Sequence, residues 1–102
     1  MKLWVDDVRP APDGYIWCKS VNGVISAITS CEIILKEPLN IELVDIDHDA
    51  GIWEPDGGDY IRLLDWFEST GRNYPIRIHS MNPVGVDNMR RIIKRNGWTE
   101  VK

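Results

Sequence analysis

The segment Ile41–Asp49 constrains the fold of this chain more than any other. Its first part, Ile41–Ile46, is a nearly continuous apolar run, which is typical of a central strand in a parallel sheet that is buried on both faces. Three carboxylates and an imidazole then occur within Asp45–Asp49. Ligands of open α/β sheets bind outside the carboxyl ends of the strands. An apolar run that ends in acids therefore predicts a binding site at this strand end.

Two further apolar segments end in the same kind of residue. Asp6 and Asp7 follow the short run Leu3–Val5, and His79 with Ser80 follows Ile76–Ile78. Each of these side chains can bind a metal ion, transfer a proton or donate a hydrogen bond. Three strands that each end in such residues predict one shared site.

Strand and helix patterns alternate along the chain. Helices are predicted where apolar residues recur at helical spacing, after Ser20, across Tyr60–Phe67 and after Asn82; further strands are predicted at Tyr15–Lys19 and Trp98–Val101. The alternation indicates a parallel sheet with right-handed crossovers in one α/β domain spanning residues 1–102. The first connection is short for a parallel crossover, because a Pro-rich loop replaces the expected helix.

Composition limits the kinds of partner. The formal net charge of −4 and the pI of about 5.0 argue against an extended nucleic-acid-binding surface, although a basic patch can still bind one phosphate. No apolar run is long enough to span a bilayer, and no signal peptide is visible. Cys18 and Cys31 fit no metal-binding spacing and are expected to be reduced thiols. We therefore expect a cytoplasmic protein that does not bind membranes.

The acids point to a metal site. Asp6, Asp7 and Asp47 are expected to meet at the sheet edge, where like charges need a cation or a shared proton. Mg²⁺ or Mn²⁺ fits carboxylates, waters and a phosphate best, and Zn²⁺ bound by His48, His79 and a carboxylate is the alternative. The competing interpretation of the Asp6-Asp7 pair alone is a solvated turn.

The remaining polar residues point to proton transfer and phosphate binding. His48 lies between Asp47 and Asp49, which favour its protonated form and make it a candidate general acid. A helix that begins after Asn82 would offer the free N–H groups of Val84 and Gly85 to an anion. The candidate phosphate-binding residues are Ser80, Asn82, Val84 and Gly85. Ser80 and Asn82 can alternatively serve only as helix caps.

Four motifs together resemble a known family over nearly the whole chain. They are Asp6-Asp7-Val8-Arg9-Pro10, Ile46-Asp47-His48-Asp49, His79-Ser80-Met81-Asn82-Pro83-Val84-Gly85 and Asn88-Met89. This set resembles the cyclic-phosphate-processing receiver domains, which are divergent relatives of response-regulator receivers. The resemblance implies a flavodoxin-like three-layer fold with a five-stranded parallel sheet in the order 2-1-3-4-5, from which the first and last helices are missing.

The resemblance also implies a function. The chain would be a small metal-dependent phosphoesterase acting on a cyclic nucleotide or on an RNA 2′,3′-cyclic phosphate end, as in RNA repair, with Asp47, His48 and His79 as catalytic residues. The alternative is a non-catalytic or Asp47-phosphorylated signalling module. Phosphoaccepting receivers carry a lysine after the fifth strand, whereas only Lys102 lies near that position here. The missing lysine and the missing output helix favour hydrolysis over phosphorelay.

Overall fold

A parallel sheet forms the centre of the structure, a computed structural model that describes residues 1–102. Its four strands, in the spatial order β2-β1-β3-β4, are β1 (Lys2–Val5), β2 (Tyr15–Cys18), β3 (Leu43–Ile46) and β4 (Ile76–Ile78). The helices are α1 (Val21–Leu35), α2 (Ile61–Ser69) and α3 (Pro83–Asn96), and a short 3₁₀ turn covers Gly51–Trp53. The predicted α/β class, the parallel pairing and the absence of a helix between β1 and β2 are confirmed.

The expected fifth strand is reduced to one bridge. Ile76 pairs with Glu100, where β5 would lie, through hydrogen bonds of 3.0 Å from Ile76 N–H to the Thr99 oxygen and 2.7 Å from Val101 N–H to the Ile76 oxygen. Trp98, directly after the end of α3, packs its ring edge-on against Phe67. The chain therefore reaches β4 only at Ile76, and the predicted five-stranded sheet is wrong by one strand.

The fold has two layers rather than the expected three. The crossovers β2-α1-β3 and β3-α2-β4 both run in the same direction across the sheet, so right-handed connections place α1 and α2 on one face. Helix α3 packs against α2 on that face. Leu3, Val5 and the inward side chains of β3 and β4 join the helices in one core of 18 buried residues. No helix covers the opposite face.

This opposite side of the sheet is called the open face below. Side chains alternate along a strand, so the open face carries Lys2, Trp4, Tyr15, Trp17, Leu43, Asp45 and Arg77. The β1–β2 loop closes against it where a crossover helix would lie, because Trp4 Nε1 donates to the Arg9 oxygen at 2.8 Å. The parallel pairing of β1 and β2 thus survives a short connection.

Two caps set the helix starts near the site. The Ser20 hydroxyl accepts from Gly23 N–H at 2.9 Å and begins α1, and Asn82 caps α3 in the same way with Pro83 at its first position. Helix α1 continues to Leu35, where the pattern was ambiguous, and stops as Lys36 takes a left-handed conformation. None of the three helices has the length and apolar character that a membrane crossing needs.

We expect Ser20→Ala to lower the free energy of unfolding by about 1 kcal/mol, because the Gly23 N–H loses its acceptor at a buried helix start. Ser26→Ala, at an exposed position inside the same helix, is the matched control and should be neutral or slightly stabilising. Urea unfolding followed by circular dichroism measures both. Equal effects of the two substitutions would contradict the capping role.

Candidate active site at the carboxyl end of the sheet

The register of three adjacent strands brings the predicted residues to one edge. Val5, Ile46 and Ile78 lie side by side, so the next residues, Asp6, Asp47 and His79, leave the sheet together. The ladder continues through them: Asp47 N–H donates to Val5, and His79 N–H donates to Ile46, both at 2.9 Å. The site therefore lies directly after the carboxyl ends of three adjacent strands.

Three carboxylates meet at this edge. Asp6, Asp7 and Asp47 each place one oxygen within 4.8 Å of the other two. The Asp6 side chain is fully buried, and its Oδ1 accepts the N–H groups of Val8 and Arg9, each at 2.9 Å. Asp7 packs against Gly51, where an added Cβ would overlap the carboxylate and where φ is +56°. The turn after β1 thus directs both neighbouring carboxylates towards Asp47.

His79 joins two buried carboxylates. Its Nδ1 lies 2.6 Å from Asp45 Oδ1, and its Nε2 lies 2.9 Å from Asp6 Oδ2. The Trp4 ring stacks on the imidazole at 3.8 Å with an interplanar angle of 5°. Both nitrogens can donate to carboxylates only when the ring is protonated, so this geometry describes an imidazolium.

Electrostatics supports the protonated ring. Burial opposes a charge on His79, but the hydrogen bonds that the ring donates to Asp45 and Asp6 outweigh it, and the pKa of His79 is raised above its ordinary value. Burial also opposes ionisation of Asp6, yet the N–H groups of Arg9 and Val8 and the His79 ring hold the pKa of its carboxyl below the ordinary value. With both nitrogens occupied, His79 has no free atom for the acid–base role that the sequence suggested.

His48 has the free nitrogen that His79 lacks. Its Nδ1 bonds Asp49 Oδ1 at 2.8 Å, while its Nε2 makes no hydrogen bond within the protein. The bond from His48 is the main reason that the pKa of Asp49 is lowered. The ring lies against Gly85, at the first turn of α3, where an added Cβ would overlap it. A carboxylate on one nitrogen and a free second nitrogen is the arrangement of an oriented acid–base histidine.

The start of α3 offers fewer free donors than expected. Gly85 N–H is donated to Asn82 Oδ1 at 3.0 Å, and Pro83 has no N–H, so Val84 keeps the free N–H of the first turn. Ser80 Oγ accepts from Asn82 N–H at 3.1 Å, which leaves its hydroxyl hydrogen available. An anion here would meet the Val84 N–H and the Ser80 hydroxyl, whereas the sequence predicted that the Gly85 N–H would also be free.

A second acidic group adjoins the first. His48, Asp49 and Asp59 also lie within 4.8 Å of one another, and Asp59 Oδ1 accepts Ala50 N–H at 3.0 Å. His79 is not part of this group, and its nitrogens are engaged elsewhere, so the structure gives no zinc site that combines both histidines. The largest cavity, about 760 Å³, lies at the opposite edge of the sheet beside Glu32 and Arg72. The candidate site is a shallow surface and not a deep pocket.

Sequence comparison agrees with the motifs. The family model described as the cyclic-phosphate processing receiver domain matches residues 1–95, which covers the acids of the site, both histidines and the start of α3. No curated protein and no solved structure matches the chain.

The buried network makes a spectroscopic prediction. In long-range ¹H–¹⁵N spectra at pH 7, we expect both ring nitrogens of His79 to be protonated, because each faces a buried carboxylate. His48 is the only other histidine and serves as the internal comparison. A neutral tautomer of His79 at pH 7 would show that the imidazolium assignment is wrong.

The raised pKa of His79 also has a consequence for the stability of the fold. Because folding raises the pKa of His79 above 6.5, its stabilising effect is complete below that pH and is lost as the pH rises through the folded-state value. Urea midpoints of the wild type should therefore fall as the pH rises from 6.5 through that folded-state pKa. The His79→Gln variant should be less stable at pH 6 and should lack this pH dependence.

Proposed function

The chain belongs to the cyclic-phosphate processing receiver domain family, and from this membership and the geometry of the site we propose that it is a metal-dependent phosphoesterase that opens a cyclic phosphate. One observation carries the proposal: the His48 ring, held by Asp49 and free at Nε2, lies against the start of α3, and the backbone N–H of the same residue donates to Asp47 of the carboxylate cluster. A signalling receiver needs no such histidine.

The three carboxylates fit a hard divalent cation. Asp6 is already bonded through both oxygens to Val8, Arg9 and His79, whereas Asp7 accepts no hydrogen bond and Asp47 accepts one, from His48 N–H at 2.8 Å. Asp7 and Asp47 would therefore be the principal ligands, and Asp6 would complete the group. Bound Mg²⁺ or Mn²⁺ would supply Lewis-acid polarisation of a phosphoryl oxygen.

His48 would act as the general acid that protonates the leaving oxygen. Hydrolysis of a cyclic phosphate adds water at phosphorus and breaks one P–O ester bond, and the leaving ribose oxygen must gain a proton. His48 Nε2 can deliver that proton while the hydrogen bond between Nδ1 and Asp49 holds the ring in place. Ser80 and the Val84 N–H would bind phosphoryl oxygens.

His79 would act through another residue. Its ring fixes the Asp6 carboxylate and balances the negative charge that Asp6 and Asp45 bring into the interior. His79 would therefore position Asp6 and would not itself contact the substrate. It also gives the acidic site an internal cation.

The metal proposal predicts a thermal response. Millimolar Mg²⁺ or Mn²⁺ should raise the melting temperature, because the cation binds the folded carboxylate cluster and relieves its repulsion. Asp47→Asn should abolish most of that rise. Asp65→Asn removes an equal charge from an exposed position on α2 and should leave the response intact. Scanning calorimetry with and without metal makes the measurement, and no shift in the wild type would refute the metal site.

The catalytic proposal predicts a kinetic effect of His48. With 2′,3′- and 3′,5′-cyclic nucleotides as test substrates, His48→Gln should lower turnover about 10²- to 10⁴-fold, the usual contribution of a positioned acid. Asp49→Asn should lower turnover by a smaller factor, because His48 Nε2 remains in place.

A phosphoaccepting module behaves differently. Acetyl phosphate would then label Asp47, and substitution of His48 would hardly matter. Stable labelling of Asp47 in a protein that leaves every cyclic nucleotide intact with Mg²⁺, Mn²⁺ or Zn²⁺ would end the enzyme proposal.

A further inference from the structure

No helix covers the open face of the sheet. Parallel sheets almost always have both faces covered, because crossover helices pack on each. Here all three helices lie on one side, and only the β1–β2 loop reaches the other. The side chains of the open face must therefore be compatible with water or be covered by a ligand.

Aromatic rings in fixed orientations occupy one half of this face. Trp4 meets Tyr15 edge-on at 6.0 Å, and Trp17 lies beside them on the edge strand with 37% of its surface exposed. Backbone acceptors hold both indoles: Trp4 Nε1 donates to Arg9 and Trp17 Nε1 donates to Asp6, each at 2.8 Å. The Trp4 ring already stacks on His79, so Trp17, which a hydrogen bond holds in place, is the ring that can stack on a planar ligand at little entropic cost.

Cations surround these rings. Lys2 Nζ lies 5.4 Å from the Tyr15 ring centre, and Lys19 Nζ lies 4.5 Å from that of Trp17. Arg77 and Arg9 add exposed guanidinium groups, and Arg9 Nη1 donates to the His79 oxygen at 3.1 Å.

Asp45 and the neighbouring Asp6 lie 4.0 Å from Arg77 and Arg9 and balance those two charges, but Lys2 and Lys19 form no ion pair. Asp45 is buried and bonded to the His79 ring. The open face is thus locally positive on a chain of net charge −4. This separation of charge indicates an anionic occupant, and the rings indicate one that carries planar groups.

We propose that the open face binds a short segment of single-stranded RNA whose 3′-terminal cyclic phosphate reaches the carboxylate site. Four-stranded sheets that bind RNA stack two or three bases on their aromatic side chains, and cations beside the rings bind the phosphates. The face leads directly to the site, because Trp17 bonds Asp6 and Arg9 bonds His79. The inference rests on the proposed function for the terminal group, and it selects an RNA end over a free cyclic nucleotide.

The binding test uses an RNA that cannot react. Fluorescence anisotropy would follow a 5′-labelled hexauridylate that ends in a 3′-hydroxyl, titrated with the full chain at several salt concentrations. Lys2→Gln/Lys19→Gln should weaken binding and reduce the slope of log K against log salt by about 1.4, the value for two lost phosphate contacts. Arg91→Gln/Lys94→Gln, exposed on α3, removes the same charge away from the open face and should change neither.

Two substitutions of Trp17 test stacking. Trp17→Phe and Trp17→Leu both remove the hydrogen bond to Asp6, but only phenylalanine keeps a ring. The Trp17→Leu variant should bind the hexamer on the order of ten-fold more weakly than the Trp17→Phe variant. Melting curves of the two variants check that they fold equally well.

Three results would overturn the inference. The first is hexauridylate binding that is no tighter than uridine monophosphate binding. The others are equal losses of RNA affinity in the two charge variants, or an affinity for an RNA duplex equal to that for the single strand. Failure of the proposed function looks different. Salt-dependent hexamer binding without turnover rejects the enzyme and keeps the RNA surface, whereas turnover of cyclic nucleotides with no hexamer binding keeps the enzyme and rejects the RNA surface.

Discussion

The protonated ring of His79 between Asp6 and Asp45 is the interaction on which the site depends. Two carboxylates in the interior of a sheet are tolerated only with a partner for their charge, and each accepts one N–H of the same ring. Removing one member would leave an uncompensated buried charge, which costs about 3–5 kcal/mol in comparable pairs. Asp45 lies in β3, while Asp6 and His79 directly follow β1 and β4, so the interaction joins three strands at this edge.

Much of the site could be predicted from the sequence, because apolar strands in a parallel sheet end at a common edge. Asp6, Asp7 and Asp47 meet where that rule places them. The two histidines could not be told apart in this way. Both follow apolar strands beside acids, and only the register shows that the ring of His79 lies over Asp45 while that of His48 turns towards α3.

Asp45 gave a signal that could have been used. A charged residue inside an otherwise apolar strand, two positions before Asp47 and on the same face, calls for a buried partner. The reduction of the predicted fifth strand to a single bridge could not be foreseen, for a different reason. The pattern at Trp98–Val101 is that of a strand, but the anchoring of Trp98 against Phe67 is a tertiary contact that local pattern does not contain.

Gly85 shows how a motif residue can report on a distant position. Its missing side chain is the space that the His48 ring occupies, and its N–H is used within the helix cap. The position therefore requires glycine because of the His48 ring as much as because of the helix start. In related chains, a larger residue at this position would mark the loss of the ring, so the two positions are expected to change together and to separate members that retain the acid–base histidine from members that do not.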